Sequence, residues 1–379
     1  MKCLVLYAYP PESDGQSLQG HLLYKGILKS GNTAIPCHFK NSIQKIFYLR
    51  HLKPDVSFGV GFWGNVPEII REPLKYGVRP VPWFNSDGWI ANYQDDFNKL
   101  DLMFTTSEWV RQIYKRDGVD VSKIIPIHIG IDTNRFKPTN NLEFDKVIRE
   151  MLGLKDNEKM ILTIGGDTTS KGSQEMMKAL AEVDKEFKNW RYICKSWSSS
   201  CSRNWRKIEI KLAKDLGIKD KIVFLEEGLN QEFMVHLLNA TDIYAAPSRL
   251  EGFGMVQVEA MSCGKPVISI NKMGPSETII HKKTGFLANV AEEMQLDGEW
   301  VRRSMGFKKR EFVKFKEPTT FAYRADIDDL REYTLKLLTD EKLREKMGKD
   351  AREHVVKNLD YRYTSKKMVD ITKERLNLE

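Results

Sequence analysis

The sequence predicts an α/β protein built from two doubly wound, Rossmann-like halves. Three observations carry that reading. Short β-branched or apolar runs alternate with amphipathic segments along most of the 379 residues. The alternation breaks midway, at the turn-rich stretch Asp132 to Asn141, and then restarts. The length is too great for one ordinary core and suits two domains of roughly 150–200 residues.

In the first half, strands are expected at Cys3–Tyr7, Asp55–Val60, Val78–Trp83, Leu102–Thr105 and Ile124–His128. Helices are expected at Gln19–Lys29, Ser42–Leu52, Pro67–Tyr76 and Ser107–Asp117, the last opened by a serine followed by an acidic residue. In the second half the strands read Lys159–Ile164, Arg191–Cys194, Lys221–Phe224, Ile243–Ala246, Pro266–Ile270 and Gly285–Leu287. Helices fall between them at Gln174–Phe187, Arg206–Leu216, Glu232–Asn239 and Val256–Cys263. Residues 291–322 interrupt the pattern with aromatics mixed among cations. They read as an insertion, with an exposed hairpin or helix favoured over a contact with a membrane or polyanionic acceptor. Helices resume at Ile327–Thr339, Glu341–Asn358 and Arg362–Leu376. The expected domains are therefore 1–140 and 141–359, with a helix at about 360–379 packing back on the first.

Composition sets the class. The chain is 41% apolar and 30% charged, with a net charge of +8. The opening apolar run is too short for a signal peptide and reads as a first buried strand, and no stretch approaches the ~20 apolar residues of a membrane span. Five cysteines without tight pairing suit a reducing interior, hence a cytoplasmic protein. The basic balance favours anionic partners, but no nucleic-acid signature accompanies it. The Ser42–Leu52 segment, with Lys45, Arg50, His51 and Lys53, is a candidate for anionic lipid. Packing of its apolar residues on the sheet is the favoured alternative.

The most informative stretch is Glu251-Gly-Phe-Gly-Met-Val-Gln-Val-Glu259. It follows a strand ending at Pro247-Ser248 and opens a helix, the order in which α/β proteins offer backbone N–H groups to a phosphate. Gly252 and Gly254 allow close approach of main chain to ligand. The N–H groups of Gly254, Met255 and Val256 are expected to aim at an anion. Glu251 stands before this cradle and Glu259 about two turns into the helix. A nucleotide sugar, with hydroxyls at both ends and a diphosphate between, fits that layout.

From Asn239 to Asn289 the chain closely resembles the donor-binding half of retaining GT-B glycosyltransferases of family 4, the glycosyl transferases group 1. The resemblance rests on Ala-Ala-Pro-Ser-Arg-Leu-Glu251, Gly252 to Glu259, Gly264-Lys-Pro, Gly274-Pro-Ser-Glu277 and Thr284-Gly285. Ile127 to Pro138 resembles the family's hinge, Gly165 to Gly172 its turn before a phosphate-contacting lysine, and Tyr9 to Ser17, with Gly15, its first loop. The resemblance implies a GT-B fold, two Rossmann-like domains facing across a cleft. It implies transfer of a hexose, with retention and without a metal or cofactor, from a UDP-, GDP- or ADP-sugar to a glycan, lipid-linked or small-molecule acceptor. It implies that Glu251 positions the sugar, that Lys171 neutralises the diphosphate and that Glu259 receives the ribose. Gly252, Phe253, Gly254, Met255 and Val256 would complete the donor site.

Departures from the family pattern are also visible. The arginine usual in the turn before the lysine is absent. Gly166 or Asp167 stands there, with Lys195 or Arg249 as possible substitutes. The family's acceptor-side histidine is replaced, with Asp87 as candidate, and Trp63 and the Trp83–Tyr93 stretch are expected to line the acceptor side. These departures keep alive an alternative, a degenerate GT-B protein that binds nucleotide or glycan without turnover.

Overall fold

A computed structural model describes the whole chain except Ser13, Asp87, Asn140, Asn141, Ser198, Ser199 and Glu379, and the side chains of Leu142, Ser200, Cys201, Ser202 and Ser304. The chain divides into two compact units: Met1–Asp132 with Gln295–Phe321 and Asn358–Glu379, and Thr133–Met294 with Ala322–Lys357.

The first unit runs β1 (Lys2–Tyr7), α1 (Gly15–Lys29), β2 (Thr33–His38), α2 (Ser42–His51), β3 (Val56–Phe62), α3 (Glu72–Lys75), β4 (Arg79–Asn85), α4 (Gln94–Asn98), β5 (Met103–Thr105), α5 (Glu108–Arg116) and β6 (Ile124–Pro126). Its six strands form one sheet in the order β2-β1-β3-β4-β5-β6, and every pair is parallel. Helices cover the faces of such a sheet, which is why β1 is buried along almost its whole length. The expected helix at Pro67–Tyr76 is instead a π turn over Pro67–Arg71 followed by the short α3, because Pro73 has no N–H to continue the ladder.

The second unit runs α6 (Leu142–Met151), β7 (Lys159–Ile164), α7 (Ser173–Val183), β8 (Trp190–Lys195), α8 (Ser200–Asp215), β9 (Ile222–Leu225), α9 (Gln231–Ala240), β10 (Ile243–Ala245), α10 (Met255–Ser262), β11 (Val267–Ile270), α11 (Pro275–Thr278) and β12 (Gly285–Ala288). Its parallel sheet has the order β12-β11-β10-β7-β8-β9. The order reverses between β7 and β10, and the loops leaving these two strands carry the candidate site. Residues 291–322 belong to a two-stranded ribbon, β13 (Val290–Val301) and β14 (Glu311–Ala325). It is followed by α12 (Ile327–Thr339), α13 (Glu341–Asn358) and α14 (Tyr361–Leu376).

The C-terminal α14 belongs to the first unit by close backbone packing. A Cβ on Gly130 would meet the Tyr361 Cα at 2.3 Å, and one on Gly26 would meet Ser365. Ile131 pairs with Asp360 as an isolated bridge.

Two expectations for the first unit are corrected. Lys45 does not face outward. It is fully buried, donates to the carbonyl of Glu68 at 3.2 Å and pairs with Glu72. The apolar Ile43 and Phe47 of the same helix are the exposed residues, at 85% and 54%. Helical spacing puts 43 and 47 on one face and 45 on the opposite one, so the helix turns Lys45 inward and two apolar side chains outward, while Arg50 and His51 stay exposed. Trp63 and Trp83 are core residues rather than surface linings: both are buried, and the Trp83 indole donates to the Ile127 carbonyl at 3.0 Å. The expected acceptor-side residue, Asp87, lies outside the described residues.

The four described cysteines, Cys3, Cys37, Cys194 and Cys263, are free and buried. No helix among the described residues is long and apolar enough to cross a membrane.

Candidate active site

Two loops meet at the carboxyl ends of β7 and β10. The first, Gly165 to Gly172, leads into α7. The second, Ala246 to Gly254, leads into α10. Each ends on a glycine in the left-handed region, Gly172 at φ 83° and Gly254 at φ 94°, and each glycine is the N-cap of its helix. Neither N-terminus has a side chain capping it. By contrast, Asp14 caps α1, Ser107 caps α5, Asn230 caps α9 and Asp326 caps α12. The first N–H groups of a helix have no intrahelical acceptor. Leaving two such ends without a side-chain cap at neighbouring strands makes a concentrated positive field.

The loops are built against one another. The Arg249 N–H donates to the Ser170 carbonyl at 2.9 Å. A Cβ on Gly172 would lie 2.3 Å from the Pro247 carbonyl oxygen. Only glycine fits there, by conformation and by space. The second loop is braced from behind. The Gly274 N–H donates to the Glu251 carbonyl at 3.2 Å, and a Cβ on Gly274 would meet Phe253 Cα at 2.5 Å. Phe253 itself is buried, so its part in the site is to anchor the loop while Gly252 and Gly254 supply the close backbone.

Lys171 and Glu251, expected in separate roles, are brought together: Nζ stands 2.5 Å from Oε2, with both side chains mostly covered. The lysine is held there because Gly165, beneath it, has no side chain. A Cβ at that position would lie 2.4 Å from Lys171 Cγ.

Glu259 sits in α10 and is 6% exposed. Burial pushes its carboxyl up to about 8, against a weaker downward pull from Arg135. A buried carboxyl in that state is prepared to accept donors that would restore its charge.

Two features escaped the sequence reading. Glu209 of α8 is buried and gathers hydroxyl donors from the first loop and the start of α7: Thr168 at 2.8 Å, Thr169 at 2.8 Å, and Ser173. The Thr-Thr-Ser-Lys-Gly-Ser run was the available signal, since several hydroxyls packed into one turn require an acceptor. The other is the fate of Arg249. It makes a two-pronged contact with buried Glu175, at 2.8 Å from Nη2 to Oε1, and Arg324 joins the same carboxylate at 2.9 Å. A guanidinium so committed is structural. That removes Arg249 as the substitute for the absent arginine. Lys195, the other candidate, lies at the end of β8, beside the end of β7, and is 2% exposed. Its ammonium lies 4.8 Å from the Trp197 ring centroid, and burial lowers its pKa.

Gly15 opens α1 in the first unit, where the Asp14 side chain already accepts from the N–H groups of Gln16 and Ser17. Among the described residues no group of three or more histidines, cysteines and carboxylates is placed to hold a metal ion.

Comparison with known proteins agrees with this geometry. Residues 144–298 match the family profile of the glycosyl transferases group 1. Over 200 residues the chain is 28% identical to the D-inositol 3-phosphate glycosyltransferase of Mycobacterium tuberculosis and of Mycobacterium bovis, a match over 53% of this chain and 39% of the relative. The match thus spans less than half the length of these curated relatives. Among solved structures, sucrose-phosphate synthase from Thermosynechococcus elongatus superposes with a TM-score of 0.75 at 16% identity, covering 100% of both chains. HepE of Anabaena, solved in complex with UDP and glucose, superposes with a TM-score of 0.73 at 15% identity, covering 99% of this chain and 100% of its own. The architecture is that of a two-domain GT-B protein, and the matches support a glycosyltransferase.

Proposed function

We propose that the protein transfers a hexose, with retention, from a nucleotide-diphosphate sugar to a hydroxyl of a glycan, lipid-linked or small-molecule acceptor. The observation that carries the proposal is the convergence of two glycine-capped helix ends with the Lys171–Glu251 pair at the switch point of the second sheet. An anion is the ligand that satisfies the N–H groups at the start of α10 and a lysine at once; at α7 the Ser173 N–H already donates to the Thr168 carbonyl. The buried Glu259 within α10 asks for hydrogen-bond donors, which a ribose diol supplies. The two requirements together describe a nucleoside diphosphate. A neighbouring structure, that of Anabaena HepE, holds UDP and glucose, and a uridine donor is therefore the first to test.

In this reading the N–H groups at the start of α10 hold the distal phosphate and Glu251 accepts from hydroxyls of the sugar. Lys171 exchanges its carboxylate partner for the diphosphate when donor binds, and stabilises the charge that grows as the anomeric carbon–oxygen bond breaks. Lys195 supplies the second cation. The acceptor oxygen forms the new bond on the face the phosphate leaves, and its proton passes to a phosphate oxygen. Orientation and charge carry the reaction without a metal. Asp87 remains the proposed acceptor-side group, and Gly15 the first-unit contact to the donor.

Thermal shift against UDP, GDP and ADP, then against their sugars, tests the proposal. A ligand near saturation should raise stability by a few kcal/mol. Slow hydrolysis of the matching sugar nucleotide, absent in Glu251→Ala, supports transfer. Tight nucleotide binding with no hydrolysis or transfer to any acceptor would favour a binding protein, and no binding of any nucleotide would refute the transferase reading and leave only a glycan-binding protein.

A further inference from the structure

We propose that the β13–β14 ribbon is a docking surface for an anionic membrane. Between Trp300 and Lys316 the sequence carries seven lysines and arginines and a single carboxylate, Glu311. All seven cations are exposed, and none forms an ion pair among the described residues.

The ribbon has two unlike faces. On one, Phe315 stacks on Phe321 with centroids 5.5 Å apart, and both pack against Trp89 of the same unit, at 4.8 Å and 6.4 Å. Gly306, at the turn, is so close to Tyr93 that a Cβ would lie 2.0 Å from its hydroxyl oxygen. These contacts hold the ribbon down. The other face is open. Trp300 and Phe312 meet edge to face at 5.6 Å, 51% and 50% exposed. Phe312 lies over Gly298, where a Cβ would come within 2.7 Å of its ring. The period of two along β14 puts Phe312, Lys314 and Lys316 on this face together.

The chemistry favours a lipid surface over a soluble polyanion. Arg310 covers the Trp300 ring at 4.8 Å, and the edge-to-face packing leaves apolar rims rather than a platform on which a base or sugar could stack. Apolar rims flanked by unpaired cations match the boundary between anionic headgroups and acyl chains, where tryptophan concentrates. Each cation adds to attraction toward an anionic leaflet, and the attraction is screened by salt. The inference does not depend on the donor-site reading.

The test is flotation of the full chain with vesicles of phosphatidylcholine alone and with about one-third phosphatidylglycerol, at low and high salt. Binding to the anionic vesicles only, weakened by salt, is expected. Lys308→Glu with Lys309→Glu, and separately Trp300→Ser with Phe312→Ser, should each weaken it roughly tenfold or more while melting like the parent protein. The lysine pair is exposed, and an unchanged melting temperature separates lost docking from misfolding. No flotation with either vesicle, or flotation that survives both variants, overturns the proposal. So does retention on heparin or single-stranded DNA without flotation.

Discussion

Glu259 offers a direct test of the donor site, through protons rather than turnover. Its carboxyl, raised to about 8 by burial, is about nine-tenths protonated at pH 7 in the empty protein. At pH 7, one unit below that value, ionising it costs about 1.4 kcal/mol. Two hydroxyl donors to a carboxylate are worth roughly 3–6 kcal/mol together, enough to return it to the charged form. Binding of a sugar nucleotide should therefore release close to one proton at pH 7, and affinity should rise by up to about tenfold per pH unit between about pH 5 and 8. UDP-glucose is the ligand of choice, because both its phosphates are diesters and do not titrate in that range. Calorimetry in two buffers of different ionisation enthalpy counts the proton. Glu259→Gln should bind without release and with a flat pH profile. The sign extends to the empty protein. A carboxyl raised on folding contributes stability below its unfolded value that is lost as pH rises toward 8, so the parent should lose stability over that window and Glu259→Gln should not. Binding by the parent with no proton released, or the same release in Glu259→Gln, would refute the reasoning.

Three further outcomes follow from the site. Lys171→Ala should lower kcat by about 10²–10³ while UDP binding weakens less, because its cation is needed most where charge develops; equal losses in both would remove its role in the reaction. Gly172→Ala should cost about 1–3 kcal/mol, read as a fall in melting temperature, from its left-handed conformation and the Pro247 carbonyl, which leaves a Cβ no room; a neutral substitution would show that the two loops are not locked together. Glu175→Ala should destabilise by about 3–5 kcal/mol, because Arg249 is left charged and buried without its carboxylate; a melting temperature unchanged within error would contradict the assignment.

Most of both sheets was legible because parallel strands buried on both faces read as apolar runs, and helices between them as amphipathic ones. β2 was missed because Pro36 interrupts it. The strand tolerates proline because it lies at the sheet edge, where a missing N–H breaks no ladder. α6 was missed because it follows directly on the turn-rich break. The Glu251–Glu259 segment was legible because glycine spacing and carboxylate placement are local. The Lys171–Glu251 contact and the Glu209 and Glu175 clusters were not, since each joins residues 36 to 149 positions apart that only the fold brings together. Lys45 illustrates the same limit: a lysine reads as surface until the fold supplies Glu72 and two carbonyls.

The paired glycine caps have a consequence for how such a protein can change. In the proposed donor site the helix-end part of the grip on the diphosphate is made by main chain, so that part is blind to the identity of the residues that follow. On that reading Met255 and Val256 can be exchanged without releasing the phosphate, while any exchange of Gly172, pressed against a carbonyl oxygen, is penalised. If the proposed function holds, a lineage is then free to drift in which sugar it carries and where it delivers it, with its main-chain hold on the common handle unaltered.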